Sequence, residues 1–260
     1  MQPSPFALQL IEDVRPILRS IQRVITPPQP FDPATSTRIF RVAIPAIGPL
    51  MAAVFARISR EAPQVGLEWT HPSADAYPAV ADGQIDLAHL GGEIRLPDGL
   101  DSQTMRPWTW TTFARKDHPA FANWNMQVWL TWPHVRVNLA NTARNPVQDR
   151  MAELGQTRRI GALVSEFSSL APLLASTDLI ATFPPIVFLD HAETYSLRLL
   201  RPPIDMPPFA VRFFWSARLS SDPGTRWIRK VVLEEYDTTQ TRTDAMLAAH
   251  GLASHGLAGG

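Results

Sequence analysis

Histidine is the side chain best suited to moving a proton near neutral pH, and this chain contains seven. His71, His89, His118, His134 and His191 stand singly along its body, and His250 and His255 lie near its end. A lone histidine is more often a satisfied structural residue than a base or a ligand. There is no H-E-x-x-H pair for zinc, no G-x-S-x-G turn for a serine nucleophile and no phosphate-binding P-loop. Cysteine is absent, which removes thiolate catalysis, disulfides and cysteine zinc sites together. Asp82 and Asp86 flank the start of an expected strand, where capping and solvation account for them. No acid, base or nucleophile pair emerges. The residues therefore point to binding rather than turnover, and no cofactor is expected.

Charge narrows the class further. Lysine plus arginine number 24 and aspartate plus glutamate 24, so the chain has no net charge. A nucleic-acid binder would carry a basic face or tail. Asp13, Arg15, Arg19 and Arg23 interrupt the apolar residues near the start, so no secretory h-region forms there. No run approaches the roughly 18 apolar residues that a membrane-spanning helix needs. These features suit a cytoplasmic location without a membrane partner.

The elements that must position any site read as α/β. Ala7, Leu10, Val14, Ile17, Ile21 and Val24 recur in steps of three and four, predicting a helix over 5–25. That spacing serves a two-helix seam or an amphipathic helix lying on its own domain. Pro27, Pro28 and Pro30 stop it, and 27–37 reads as a linker. From Ile39 onward strands alternate with helices: strands at 39–44, 65–70 and 85–89, helices at 50–61 and 74–81. That order implies parallel strands with right-handed crossovers. Strands near 101–106 and 110–115 follow. Helices at 126–132, 147–154, 167–175 and 185–191 then alternate with strands at 134–138, 160–165, 179–183 and 197–200. A strand over 210–217 and a helix over 223–236 close the pattern. From Thr238 the sequence turns polar or small and reads as a frayed helix or a tail over 238–260. Two α/β units with a cleft between them suit a ligand at the carboxyl ends of their strands.

Several stretches, taken in order, resemble LysR-type transcriptional regulators. Phe31-Asp32-Pro33-Ala34-Thr35-Ser36 followed by Arg38-Ile39-Phe40-Arg41-Val42 is similar to that family's entry into its first strand. Asp82-Gly83-Gln84-Ile85-Asp86-Leu87-Ala88 resembles its glycine-then-strand signature. Arg115-Lys116-Asp117-His118-Pro119 resembles its R-x-D-H-P segment. Pro133-His134-Val135-Arg136-Val137, the run from Thr177 to Pro184, and Phe214-Trp215 with Trp227-Ile228-Arg229 complete the series. The match runs from about Phe6 to Val232, and the closest subgroup resembles regulators that answer aromatic compounds.

The resemblance implies two Rossmann-like subdomains around a central cleft, a type II periplasmic-binding-protein-like fold preceded by a linker helix over 1–30. Subdomain I would comprise 36–112 plus 210–237, and subdomain II 113–209. A small organic effector would bind in the cleft. Pro45, Ala46 and Ile47 match the cleft mouth at a helix start, where family members often supply a hydroxyl that this chain lacks. Gly91 and Gly92 match the opposite lip, and Thr111 and Thr112 the first crossover. His134 resembles a ligand-contacting histidine, and Glu166-Phe167 occupies a corner where relatives carry histidine beside phenylalanine. Glu166 would repel an anionic effector unless paired. Phe167 and Phe214 could stack on an aromatic ligand or belong to the core. A homodimer or tetramer is implied, with helix 49–61 of one copy against helix 146–155 of another. Full family members begin with a winged helix-turn-helix of about 60 residues. Gln2-Pro3-Ser4-Pro5 resembles its end, so DNA would be reached only through a preceding domain absent from this sequence. The rivals are a transporter's solute-binding protein, which shares the two-lobed plan, and an enzyme such as a transferase of the same fold.

Overall fold

The computed structural model describes residues 31–73, 76–92, 95–138, 145–188 and 191–252, together with Leu10, Val14, Arg15 and Leu18. Those four single residues are helical; the rest of the helix expected over 5–25 lies outside the described residues. The chain divides into two compact units between Asp32 and Pro33, within the expected linker.

β1 (Ile39–Ala43) is rich in branched and aromatic residues and is flanked by a partner on each side. It pairs in parallel with β2 (Gly66–Thr70) and with β3 (Leu87–Gly91). Helix α1 (Gly48–Glu61) connects β1 to β2, and α2 (Ala76–Ala81) connects β2 to β3. Pro49 sits in the first turn of α1, where its missing N–H costs nothing. Leu50, Val54 and Ile58, spaced by four, form its buried stripe. Phe55, beside Val54 in the sequence, is 38% exposed. β4 (Leu100–Thr104) and β10 (Val211–Ser216) finish the sheet in the order β2-β1-β3-β10-β4, with β10 antiparallel to both neighbours.

Between β4 and β10 the chain leaves and builds a second group of elements. β5 (Thr111–Arg115) lies between β8 (Ala181–Phe183) and β9 (Leu197–Leu200), antiparallel to each. β6 (His134–Val137) and β7 (Ile160–Val164) are parallel. A bridge from His134 to Ile180 joins β6 to the segment entering β8. Helices α3 (Met126–Thr131), α4 (Pro146–Glu153) and α5 (Leu170–Ala175) cover these strands. The outgoing and returning segments meet at a Trp108–Phe209 bridge, whose backbone hydrogen bonds are 2.9 and 2.8 Å. Two chain crossings tied in this way connect the two groups of elements, the two lobes.

Three elements depart from the sequence expectations. The helix expected over 167–175 begins only at Leu170, and 185–188 is a short 3-10 turn that starts on a proline. The third departure is larger. Helix α6 (Pro223–Ala249) runs through the segment expected as a tail. Asp222 caps it by accepting from the Thr225 N–H at 2.7 Å. Beyond Thr238, Thr239, Gln240, Thr243 and Leu247 are buried. The hydroxyls of Thr239 and Thr243 donate to carbonyls one turn back at 2.7 and 2.8 Å, so these polar side chains enter the core already satisfied. Arg106, just after β4, reaches Asp244 at 3.0 Å, Asp237 at 3.4 Å and the Thr241 hydroxyl at 3.3 Å. Hydropathy alone misreads such a helix, because the buried hydroxyls of Thr239 and Thr243 are paired within it.

Candidate functional site

A cavity of about 790 Å3 opens between the lobes. From the first lobe it takes Pro45 and Ile47 in the turn between β1 and α1, and His89, Gly91 and Gly92 at the end of β3. The two crossings contribute Trp108, Trp110, Pro207 and Phe209, and Val211 opens β10. From the second lobe come Val137 at the end of β6, the first turns of α4, Phe167 after β7, and Thr182, Phe183 and Pro184 at β8. Tyr236 on α6 and Ile186 and Val187 in the 3-10 turn close the inner end. Strand ends and helix starts meet here because each crossover returns its loop to the same edge of its sheet.

Aromatic rings dominate the walls. Trp110 meets Phe209 edge-on at 5.3 Å, and its indole N–H donates to the Pro207 carbonyl at 2.8 Å. Phe167 meets Phe183 edge-on at 5.7 Å. Trp108 donates its indole N–H to the Tyr236 hydroxyl oxygen at 2.5 Å. The charged wall residues lie on α4 and in the loop after β3: Arg95, Asp149, Arg150 and Glu153. Arg150 is occupied by Glu153 at 3.0 Å and by the Asp205 carbonyl at 2.9 Å. Asn145 caps α4 by accepting from the Gln148 N–H at 3.0 Å.

Of the residues picked from the sequence, the cavity brings together Pro45, Ile47, Gly91, Gly92 and Phe167. Ala46 lies between two of them, half-buried, and is not a wall residue. The Ile47 N–H already donates to the Pro45 carbonyl at 2.7 Å, and Pro49 has no N–H. Gly91 has a steric reason of its own: a Cβ there would lie 2.5 Å from Cζ of Phe209. Gly92 has a φ of +91°, which favours glycine.

The other picks are not among the cavity's wall residues. Thr111 and Thr112 are buried behind the wall; Thr112 shares a 3.0 Å hydroxyl hydrogen bond with Thr182, which does reach the cavity. His134 has no exposed surface. Its Nε2–H donates to the Trp129 carbonyl at 2.9 Å, and its ring stands edge-on to Trp129 at 4.5 Å. Burial, reinforced by Arg158, lowers its pKa to about 4, so it is a neutral core residue. Glu166 is exposed in a shallow recess with Asn138, Leu163 and Ser169, apart from the cavity. Phe214 packs in the core with Ala43, Val80, Ala88 and Leu90, and its ring lies 5.3 Å from that of Tyr77. Side chains alternate along β10, so Val211 and Phe213 share the other face. The β10 residue that lines the cavity is Val211, three positions earlier and of opposite parity.

Sequence reading passed over His89, Trp108, Thr182, Phe209 and Tyr236. His89 had been set aside as a solitary structural histidine. Its position at the carboxyl end of a buried parallel strand was the signal that could have recovered it. Among the described residues no group of three histidine, aspartate or glutamate side chains comes together to hold a metal ion. No described helix is long and apolar enough to cross a membrane.

Comparison with known proteins agrees with this architecture. Residues 35–237 match the family model of the LysR substrate binding domain. The HTH-type transcriptional activator NagR of Ralstonia sp is 31% identical over 238 residues, which cover 90% of this chain and 79% of that protein. The HTH-type transcriptional activator NahR of Pseudomonas putida is 28% identical over 238 residues, with the same coverage of 90% and 79%. The crystal structure of the probable transcriptional regulator PA0477 from Pseudomonas aeruginosa superposes with a TM-score of 0.79 at 25% identity, covering 89% of this chain and 78% of that one. These relatives are regulators, which favours that reading over a transporter's solute-binding protein. Regulators of this kind bind small-molecule effectors and DNA and act as oligomers, and theirs is not an enzyme family. With its two-lobed α/β fold and this match over most of its length, the chain belongs to the LysR-type transcriptional regulators, and residues 35–237 are its substrate-binding, effector-sensing domain.

Proposed function

We propose that the inter-lobe cavity is the effector site and that its ligand is a small aromatic molecule. One observation carries this: Trp108, Trp110, Phe167, Phe183, Phe209 and Tyr236 all face the same 790 Å3 space. Rings on several sides give a flat ligand edge and face contacts beyond simple burial. The lobes, bounded at 36–112 plus 210–237 and at 113–209, move about the Trp108–Phe209 crossing. Ligand that bridges them favours one lobe angle over others, and a population shift of that kind is what a regulator can transmit. The chain works as a cytoplasmic homodimer or tetramer in which α1 of one copy meets α4 of another. Phe55 on α1 and Leu154 after α4, each 38% exposed, are apolar side chains suited to such a contact.

A thermal-shift screen of aromatic compounds tests the site, since ligand that binds only the folded state raises its stability by mass action. Val137→Trp should fill the cavity and abolish the shift of every hit while leaving the melting temperature without ligand within a few degrees. Hits that bind this variant as tightly as the parent chain would place the site elsewhere.

A further inference from the structure

Two polar groups at the inner end of the cavity have unused hydrogen-bonding capacity. His89 is 8% exposed, and neither ring nitrogen has a hydrogen-bond partner among the described residues. Its ring stands edge-on to Phe213 at 5.3 Å. Tyr236 is 1% exposed and stands edge-on to the same Phe213 at 5.1 Å. Its oxygen accepts from Trp108, but its own proton has no acceptor among the described residues. Both side chains line the cavity. Around them the walls are apolar: Ile47, Val211, Ile186 and Val187. A buried polar group left without a partner is costly, and a cavity that carries an unpartnered imidazole and a hydroxyl with an unspent proton is matched to a ligand that supplies the partners.

The charge state sets the ligand's chemistry. Burial lowers His89 to about 4, so its imidazole is neutral at pH 7, with one nitrogen donating and one accepting. Burial pushes Tyr236 up, so it keeps its proton. Arg150 among the wall cations is already engaged with Glu153, and Arg95 stands in the exposed loop after β3. A carboxylate at the inner end would lose its hydration without gaining a buried counter-charge.

We infer that the inner end of the cavity is a subsite for a phenolic hydroxyl, which accepts a hydrogen bond from the Tyr236 hydroxyl and donates one to the free nitrogen of His89. This rests on the cavity being the effector site. His89 and Tyr236 then decide specificity, because they select a neutral hydroxyl over both its deoxy analogue and a carboxylate. A site built to hydrogen-bond a hydroxyl discriminates strongly against ligands that lack it.

The test uses the full chain and three probes: 4-phenylphenol, biphenyl and biphenyl-4-carboxylate, titrated by quenching of tryptophan fluorescence. The parent should bind the phenol at least about tenfold more tightly than either other probe. His89→Leu, a swap of similar volume that should fold, and Tyr236→Phe should each reduce the preference for phenol over biphenyl to under about threefold. Biphenyl affinity itself should hold or improve. An unchanged hydroxyl preference in both variants overturns the subsite, as does tightest binding of the carboxylate by the parent. If Val137→Trp abolishes phenol binding while His89→Leu leaves the preference intact, the subsite fails and the cavity reading stands. Failure of the parent to bind any of the three, or equal binding by Val137→Trp, overturns both.

Discussion

Acidification should destabilise this protein through two histidines that the fold keeps neutral. His134 and His89 are both lowered to about 4, in each case chiefly by burial. In the unfolded chain each returns to about 6.5. A folded pKa below the unfolded one means that the unfolded state takes up protons first as the pH falls. The stability these groups contribute is therefore complete above about 6.5 and is lost progressively as pH falls toward 4. Linkage between those values gives a loss of about 2 kcal/mol per histidine from pH 7 to pH 5, hence about 4 kcal/mol for the pair. In a domain of this size that lowers the melting temperature by about 10 °C. The assay is urea unfolding at both pH values for the parent, His134→Gln, His89→Leu and the double variant. Glutamine can still donate to the Trp129 carbonyl but does not titrate. Each single variant should lose about 2 kcal/mol less than the parent on acidification, and the double variant about 4 kcal/mol less. His118, also lowered by burial, acts in the same direction in every variant and cancels from the differences. If His134→Gln loses as much stability as the parent, His134 is not held neutral by its surroundings and the reasoning fails.

Other consequences follow from single contacts. Gly91→Ala drives a methyl to within 2.5 Å of Phe209, whose ring is pinned edge-on by Trp110; it should cost about 1–3 kcal/mol in denaturant unfolding and weaken any cavity ligand, and parent-like values for both would show that the ring yields freely. Ending the chain after Asp237 removes the buried Leu247 and the Thr239 and Thr243 layer; calorimetry should record a loss of at least about 3 kcal/mol, whereas an unchanged melt would restore the tail reading. Phe55→Glu or Leu154→Glu should lower the mass seen by light scattering if α1 and α4 meet across a dimer, and an unaltered oligomer would exclude that surface.

The succession of strands and helices was largely legible from the alternation of short apolar runs with amphipathic segments. Strand ends agreed to within a residue or two, because a buried strand needs a continuous apolar run and glycine or proline ends it. His134 and Phe214 show where that legibility stops. Both sit in strands whose existence was clear, yet neither faces the cavity. A strand pattern gives two faces, but not which of them meets the second lobe. His89 shows the converse: set aside in the sequence as a solitary histidine, it lines the cavity.

By itself the sequence determined the α/β alternation and the family. These follow from local periodicity and from residue types that must be present or absent wherever they fall. Only the tertiary structure decided which side chains share the cleft. His89 comes from β3, Trp108 and Phe209 from the crossings, Thr182 from β8 and Tyr236 from α6. Residues so far apart in the chain meet only because β10 returns to the first sheet and the two crossings are tied together. The same closure explains the inner face of α6, where Thr239, Gln240 and Thr243 are buried against expectation. Composition records what a side chain is, whereas burial depends on what the rest of the chain brings to it.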